Sequence, residues 1–94
     1  MQRYVIERAI PDIGSADREA LKGAAAQSNE VLKAMQAEGK GIQWEHSYVA
    51  GDKTFCIYVA DSPDLIGEHA ERSGFPATTV TEIGKIIDPT TAAG

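Results

Sequence analysis

The chain predicts an α+β domain, and three features of the sequence carry that expectation. Apolar residues alternate at both ends, helical stripes fill two internal stretches, and a tight-turn signal separates two strand-like runs. Arg3-Tyr4-Val5-Ile6-Glu7-Arg8-Ala9 reads as the first strand, with Tyr4 and Ile6 on one face and Val5 and Glu7 on the other. Pro11 and Gly14 end it, and Ser15 is placed to cap a helix whose first turn holds Asp17 and Glu19. Leu21, Ala24, Ala25, Ser28, Leu32 and Met35 then fall on one helical stripe, with Val31 at its edge, until Gly39 and Gly41 stop it. Trp44 to Val49 and Lys53 to Val59 form a hairpin around Gly51-Asp52. Ser62 as cap, Pro63 in the first turn and Asp64 at the positive end of the dipole start a second helix, which Gly74 terminates. The last strand runs from Thr78 to Ile87.

The order strand, helix, strand, strand, helix, strand is that of the ferredoxin-like βαββαβ fold, a four-stranded antiparallel sheet with two helices on one face. The apolar set Phe55, Ile57 and Val59 is expected to face the helices, leaving Val5, Glu7, Cys56 and Tyr58 on the other side of the sheet. Such a half-apolar, half-aromatic face is poorly suited to water. Two of them facing each other would make a dimeric α+β barrel. A two-residue turn sets Tyr48 opposite Phe55 and His46 opposite Ile57, both then pointing at the helices, while Glu45 and Ser47 join Cys56 and Tyr58. A loop longer by one residue inverts this. Residues 1–89 read as one domain and 90–94 as a flexible tail.

The 94 residues carry a formal net charge of -5, which argues against nucleic-acid and anionic-membrane partners. The apolar runs are far shorter than the roughly 20 residues of a membrane-spanning helix, and the start lacks a signal-peptide core. A lone cysteine gives no internal disulfide and no paired-cysteine motif, in keeping with a cytoplasmic protein. A chain this short buries a modest share of its surface, so a homodimer is expected.

The unusual side chains concentrate in the hairpin. His46 and the second histidine, His69, are the candidate metal ligands, since imidazole is a common nitrogen donor to nickel, zinc and copper. Glu7, an acid in an apolar strand, and Glu45 are the carboxylates placed to support them. The ordinary readings are a packed imidazole, one on a helix face, and an ion pair of Glu7 with Arg3, Arg8 or Lys85. Trp44, Tyr48, Tyr58 and Cys56 are the candidate ligand-binding residues, though the cysteine equally reads as a small core residue. Ser28 puts a hydroxyl on the buried stripe of the first helix, where it needs a helix carbonyl or a site to satisfy it. Glu68 and Arg72 are spaced for a surface salt bridge. No nucleophile elbow, P-loop or dinucleotide fingerprint is present.

Taken together, several short segments resemble a family of small, mostly bacterial proteins described as nickel-responsive or nickel-binding. They are Tyr4-x-Ile6-Glu7-Arg8, Ser28-Asn29, Trp44-x-His46-Ser47-Tyr48-Val49, Cys56-x-Tyr58, Glu68-His69-Ala70 with Gly74-Phe75-Pro76, and Asp88-Pro89. The resemblance covers nearly the whole chain and implies a ferredoxin-like subunit, a homodimer and divalent nickel bound at surface positions. It does not name the ligands.

Two functions are thus expected to compete, beside a third reading as a structural or interaction module that uses only its dimer surface and has neither metal nor cavity. One is a non-enzymatic homodimer that takes up Ni²⁺ through His46 or His69 with carboxylate support, in sequestration or stress, binding less well as imidazoles protonate below about pH 6. The other is a cofactor-independent enzyme or small-ligand binder of the dimeric α+β barrel type, with Trp44, His46, Tyr48 and His69 lining a cavity and a histidine as general base. A real cavity with buried polar groups would favour the second.

Overall fold

The computed structural model describes residues 1–93. Its elements follow the expected order: β1 (Gln2–Ala9), α1 (Arg18–Ala37), β2 (Ile42–Val49), β3 (Lys53–Ala60), α2 (Pro63–Ser73) and β4 (Thr79–Ile83), with short 3-10 turns at Ile13–Ser15 and Pro89–Ala93. The strands form one antiparallel sheet in the order β2-β3-β1-β4, the ferredoxin-like arrangement.

The helix ends follow from local chemistry. Asp17, not Ser15, caps α1, because its carboxylate accepts the Ala20 amide at 2.9 Å while Ser15 is taken up in the preceding 3-10 turn. Gly39 at φ 85° and Gly74 at φ 81° close the two helices in the left-handed region that disfavours a side chain. Ser62 occupies the cap position of α2 without a side-chain bond, and its carbonyl accepts the Leu65 amide.

The sheet presents the opposite face to the helices from the one expected. Tyr4, Ile6, Cys56, Tyr58 and Ala60 are buried beneath α1 and α2 with Leu32, Met35 and Ile66, whereas Phe55, Ile57 and Val59 lie half-buried on the open side with Val5. The cross-strand pairs Tyr4↔Tyr58 and Ile6↔Cys56 leave no choice once β1 commits Tyr4 and Ile6 to the core. Fully burying a side chain the size of Ile6 or Ile66 contributes about 1.5–3 kcal/mol. The hairpin register is the expected one, Tyr48 opposite Phe55 and His46 opposite Ile57, around a two-residue turn closed by the Ala50 amide on the Lys53 carbonyl. His46 and Tyr48 therefore belong to the open face as well.

A bulge between Trp44 and His46 makes Glu45 the extra residue of β2. Trp44, opposite Tyr58, stays on the helix side, whereas Glu45 reaches Arg3 at 2.6 Å and His46 follows on the open face. The last strand also ends earlier than expected, at Ile83 instead of Ile87. Ile83 pairs with Arg3, and β1 has only Gln2 beyond that point to offer a further partner.

Candidate functional site

The helix-covered side of the sheet is tightly filled at one end and hollow at the other, and the side-chain sizes explain why. Leu32 and Met35 on the C-terminal half of α1 meet Ile42, Ala60 and Ile66 in the core. The N-terminal half of the same stripe offers only Leu21, Ala24, Ala25 and Ser28, over a sheet surface of Ser47, Thr54 and Cys56. The space these small residues leave is a cavity of about 430 Å³. Trp44 and Tyr58 form its aromatic wall, with ring planes 18° apart and centroids 6.3 Å apart. Ile10, Ile13 and Val49 close the rim on one side, Gly74-Phe75-Pro76 on the other.

The rim is held by backbone contacts. The Ile10 amide donates to the Asp52 carbonyl at 3.0 Å, the Gly14 amide to the Gly51 carbonyl at 2.9 Å, and the Asp12 amide to the Asp52 carboxylate at 2.9 Å. These bonds dock the segment after β1 onto the hairpin turn. Gly14 is required there, since a Cβ would stand 2.6 Å from the Ala50 carbonyl oxygen and 2.9 Å from the Gly51 Cα.

One charged side chain lines the cavity. Arg8, on the helix-facing row of β1, is 3% exposed. Its Nη1 donates to the Phe75 and Pro76 carbonyls at 3.3 and 2.9 Å, and its guanidinium carbon lies 5.8 Å from the centroid of the Tyr58 ring. Its Nη2 is buried with no acceptor. Among the described residues no carboxylate forms an ion pair with Arg8.

Behind the aromatic wall runs a short polar chain. Ser28 Oγ lies 3.4 Å from the Tyr58 hydroxyl and 3.2 Å from His69 Nε2, which is how the hydroxyl on the buried stripe is satisfied. His69 is fully buried and its Nδ1 lacks a partner. Burial, and secondly the positive charge of Arg8, push its pKa down to about 4, with the Ser28 bond opposing them. The ring is neutral at pH 7 and too weak a base to activate Ser28, despite the serine–histidine contact. Burial raises the Tyr58 phenol, so it too stays protonated. Cys56 is buried with its sulfur 3.5 Å from Thr54 Oγ1.

The expected metal residues are not drawn together. His46 and His69 lie on opposite sides of the sheet, the first exposed with its Nε2 3.2 Å from the Tyr48 hydroxyl, the second buried. Glu45 is taken by Arg3, and Glu7 by Lys53 at 3.3 Å instead of Arg3, Arg8 or Lys85. Among the described residues no three His, Cys, Asp or Glu side chains form a group able to hold a metal ion. Of the expected ligand-binding residues, Trp44, Tyr58 and Cys56 line the cavity and Tyr48 does not. Arg8 and Ser47 join them. Ser47 Oγ accepts the Trp44 indole N–H at 2.9 Å, which orients the ring. The signal for Arg8 was strict alternation with Tyr4 and Ile6, which places it on the same row.

A family model described as "Nickel responsive protein SCO4226-like" matches residues 4–83. The chain belongs to that family. Among solved structures, the SCO4226-like fold is shared with the crystal structure of SCO4226 from Streptomyces coelicolor A3(2), at a TM-score of 0.72 and 17% identity over 90% of this chain and 99% of that one. No curated protein matches significantly. Membership of this nickel-responsive family brings a metal to the question, and the buried imidazole does not fit one: His69 sits beside a guanidinium, with no carboxylate to offset a second cation. Among the described residues no helix is long and apolar enough to cross a membrane.

Proposed function

We propose that this member of the SCO4226-like family is a homodimeric binding protein for a small, largely apolar molecule, held in each subunit between α1 and the sheet. The observation that carries this reading is the cavity of about 430 Å³, walled by Trp44 and Tyr58 and floored by small side chains. Its volume falls within the range typical of small-molecule sites. The weak basicity of His69 favours binding over catalysis. The open face with Val5, Phe55, Ile57 and Val59 is the surface for a second copy, since its half-buried apolar rows have no helix over them.

Trp44, the sole tryptophan, reports on the cavity directly. Titration with N-phenyl-1-naphthylamine, an uncharged fluorescent aromatic, should give saturable binding with energy transfer from Trp44. Ala25→Trp, which fills the cavity from α1, should abolish the binding while the far-ultraviolet circular dichroism stays unchanged. Retention of full binding in a folded Ala25→Trp protein would place the probe elsewhere and refute the reading.

A second reading, uptake of Ni²⁺ on the outer surface, is favoured by the family description and by the exposed imidazole of His46. A single imidazole is an incomplete donor set, so further donors would come from the second subunit or from water. Calorimetric titration with Ni²⁺ should then show a site that His46→Ala removes. Equal nickel affinity in the two proteins would exclude His46.

A further inference from the structure

A buried guanidinium without a carboxylate is costly, because the charge has left water and gained little in return. Most buried arginines are paired. Arg8 has two backbone carbonyls on Nη1 and an aromatic face nearby, contacts that fix its orientation and tie down the Phe75-Pro76 segment. They leave Nη2 buried without an acceptor. Every other residue lining the cavity is uncharged, so no acid of the chain competes for this cation there. Tyr58, whose ring lies beside the guanidinium, and His69, which feels its charge, are both neutral at pH 7 and cannot supply the missing charge.

We propose that Arg8 makes the cavity specific for molecules with an apolar body and one carboxylate-type anionic head. This rests on the cavity being a ligand site. The head would accept from Nη2, the nitrogen left without an acceptor; since that atom is buried, binding would turn the guanidinium toward the cavity that Arg8 lines. The body would lie along the Trp44–Tyr58 wall and against Ala24 and Ala25. One cation in an otherwise neutral lining matches a single negative charge. A dianion such as a phosphate monoester would bring a second charge with no counterpart, into a protein of net charge -5. The preference has the form expected of a charge-assisted bond made where water is excluded.

The test compares octanoate with 1-octanol, which share a chain length and differ in the head. Both are titrated into the full-length protein at pH 7.5 and followed by Trp44 fluorescence and calorimetry. Octanoate should bind about tenfold or more tightly than octanol, the ratio typical of a hydrogen bond to a charged group. Arg8→Gln should erase that preference and leave octanol affinity within about threefold, a split that a purely structural arginine would not produce. If Arg8→Gln fails to fold, the comparison on the unaltered protein still decides the matter. Equal affinities for octanoate and octanol would overturn the anion inference while leaving the cavity reading in place. No binding of either below the millimolar range, together with no binding of the naphthylamine, would overturn both.

Discussion

Protonation of His69 should cost this protein stability as pH falls below neutral. Its pKa is about 4 in the folded chain, against 6.5 for an unperturbed histidine. The native state therefore binds the proton less well than the unfolded state does, so stability is complete above about pH 6.5 and is lost as pH falls toward about 4. The full difference corresponds to roughly 3 kcal/mol, at about 1.36 kcal/mol per pH unit, of which about half falls between pH 7 and pH 5. Discounting this for solvent screening leaves about 1 kcal/mol in that interval. For a domain of this size that is about 4–8 °C in Tm. Thermal melts at pH 7, 6 and 5 should be compared between the unaltered protein and His69→Gln, whose amide can still bond Ser28. Glu38 and Glu68 lie below the usual carboxylate range, Glu38 at about 2, because Arg72 and Lys40 hold them, so they titrate under this window. The glutamine variant should be the less stable at pH 7 yet show a flatter decline to pH 5. Parallel declines would refute the argument, because the loss would then belong to groups other than His69.

Two further outcomes follow from backbone and surface geometry. Gly14→Ala should destabilise the fold by about 1–3 kcal/mol in urea melts, because the new methyl meets the Ala50 carbonyl and the Gly51 backbone, neither of which can rotate away. Gly41→Ala is the control, since its closest neighbours are the Asp61 carboxylate and the Met1 tip, flexible ends that can move, and it should cost clearly less. Ile57→Lys, in the middle of the open sheet face, should convert a dimer to a monomer in sedimentation velocity with little change in secondary structure. A monomeric unaltered protein would remove that face as a subunit contact.

Most of the architecture was legible because it is written in periodicities. Alternation in β1, the Ser62-Pro63-Asp64 start and the Gly39 and Gly74 stops each have a local cause. The facing of the sheet was not legible from β3 alone, where both rows are apolar enough to be inside. The more hydrophobic row, Phe55-Ile57-Val59, ended outside, because Tyr4 and Ile6 of the neighbouring strand decide which row of β3 lies under the helices. Ser28 announced a buried polar need, and Tyr58 with His69 answers it. The cavity was invisible because it is made of what is missing, the side-chain volume that Ala24, Ala25 and Cys56 do not supply.

The extra residue at Glu45 makes β2 two half-strands with different duties. Upstream of it, Trp44 serves the interior; immediately downstream, His46 serves the outer surface, and Ser47 returns inward. The bond from the Trp44 indole to the Ser47 hydroxyl ties the two halves together across it. Deleting Glu45 would restore the regular ladder, with Trp44 still opposite Tyr58 and His46 still opposite Ile57, and would remove the kink and the Arg3 contact; inserting a second residue is the drastic edit, because the half that slides must exchange its inner and outer side chains. After such an insertion either the indole leaves the aromatic wall or His46 and Tyr48 turn beneath the helices. Insertions within β2 should therefore be far rarer among functional variants than loss of the extra residue, and loops around the hairpin should absorb added length in its place.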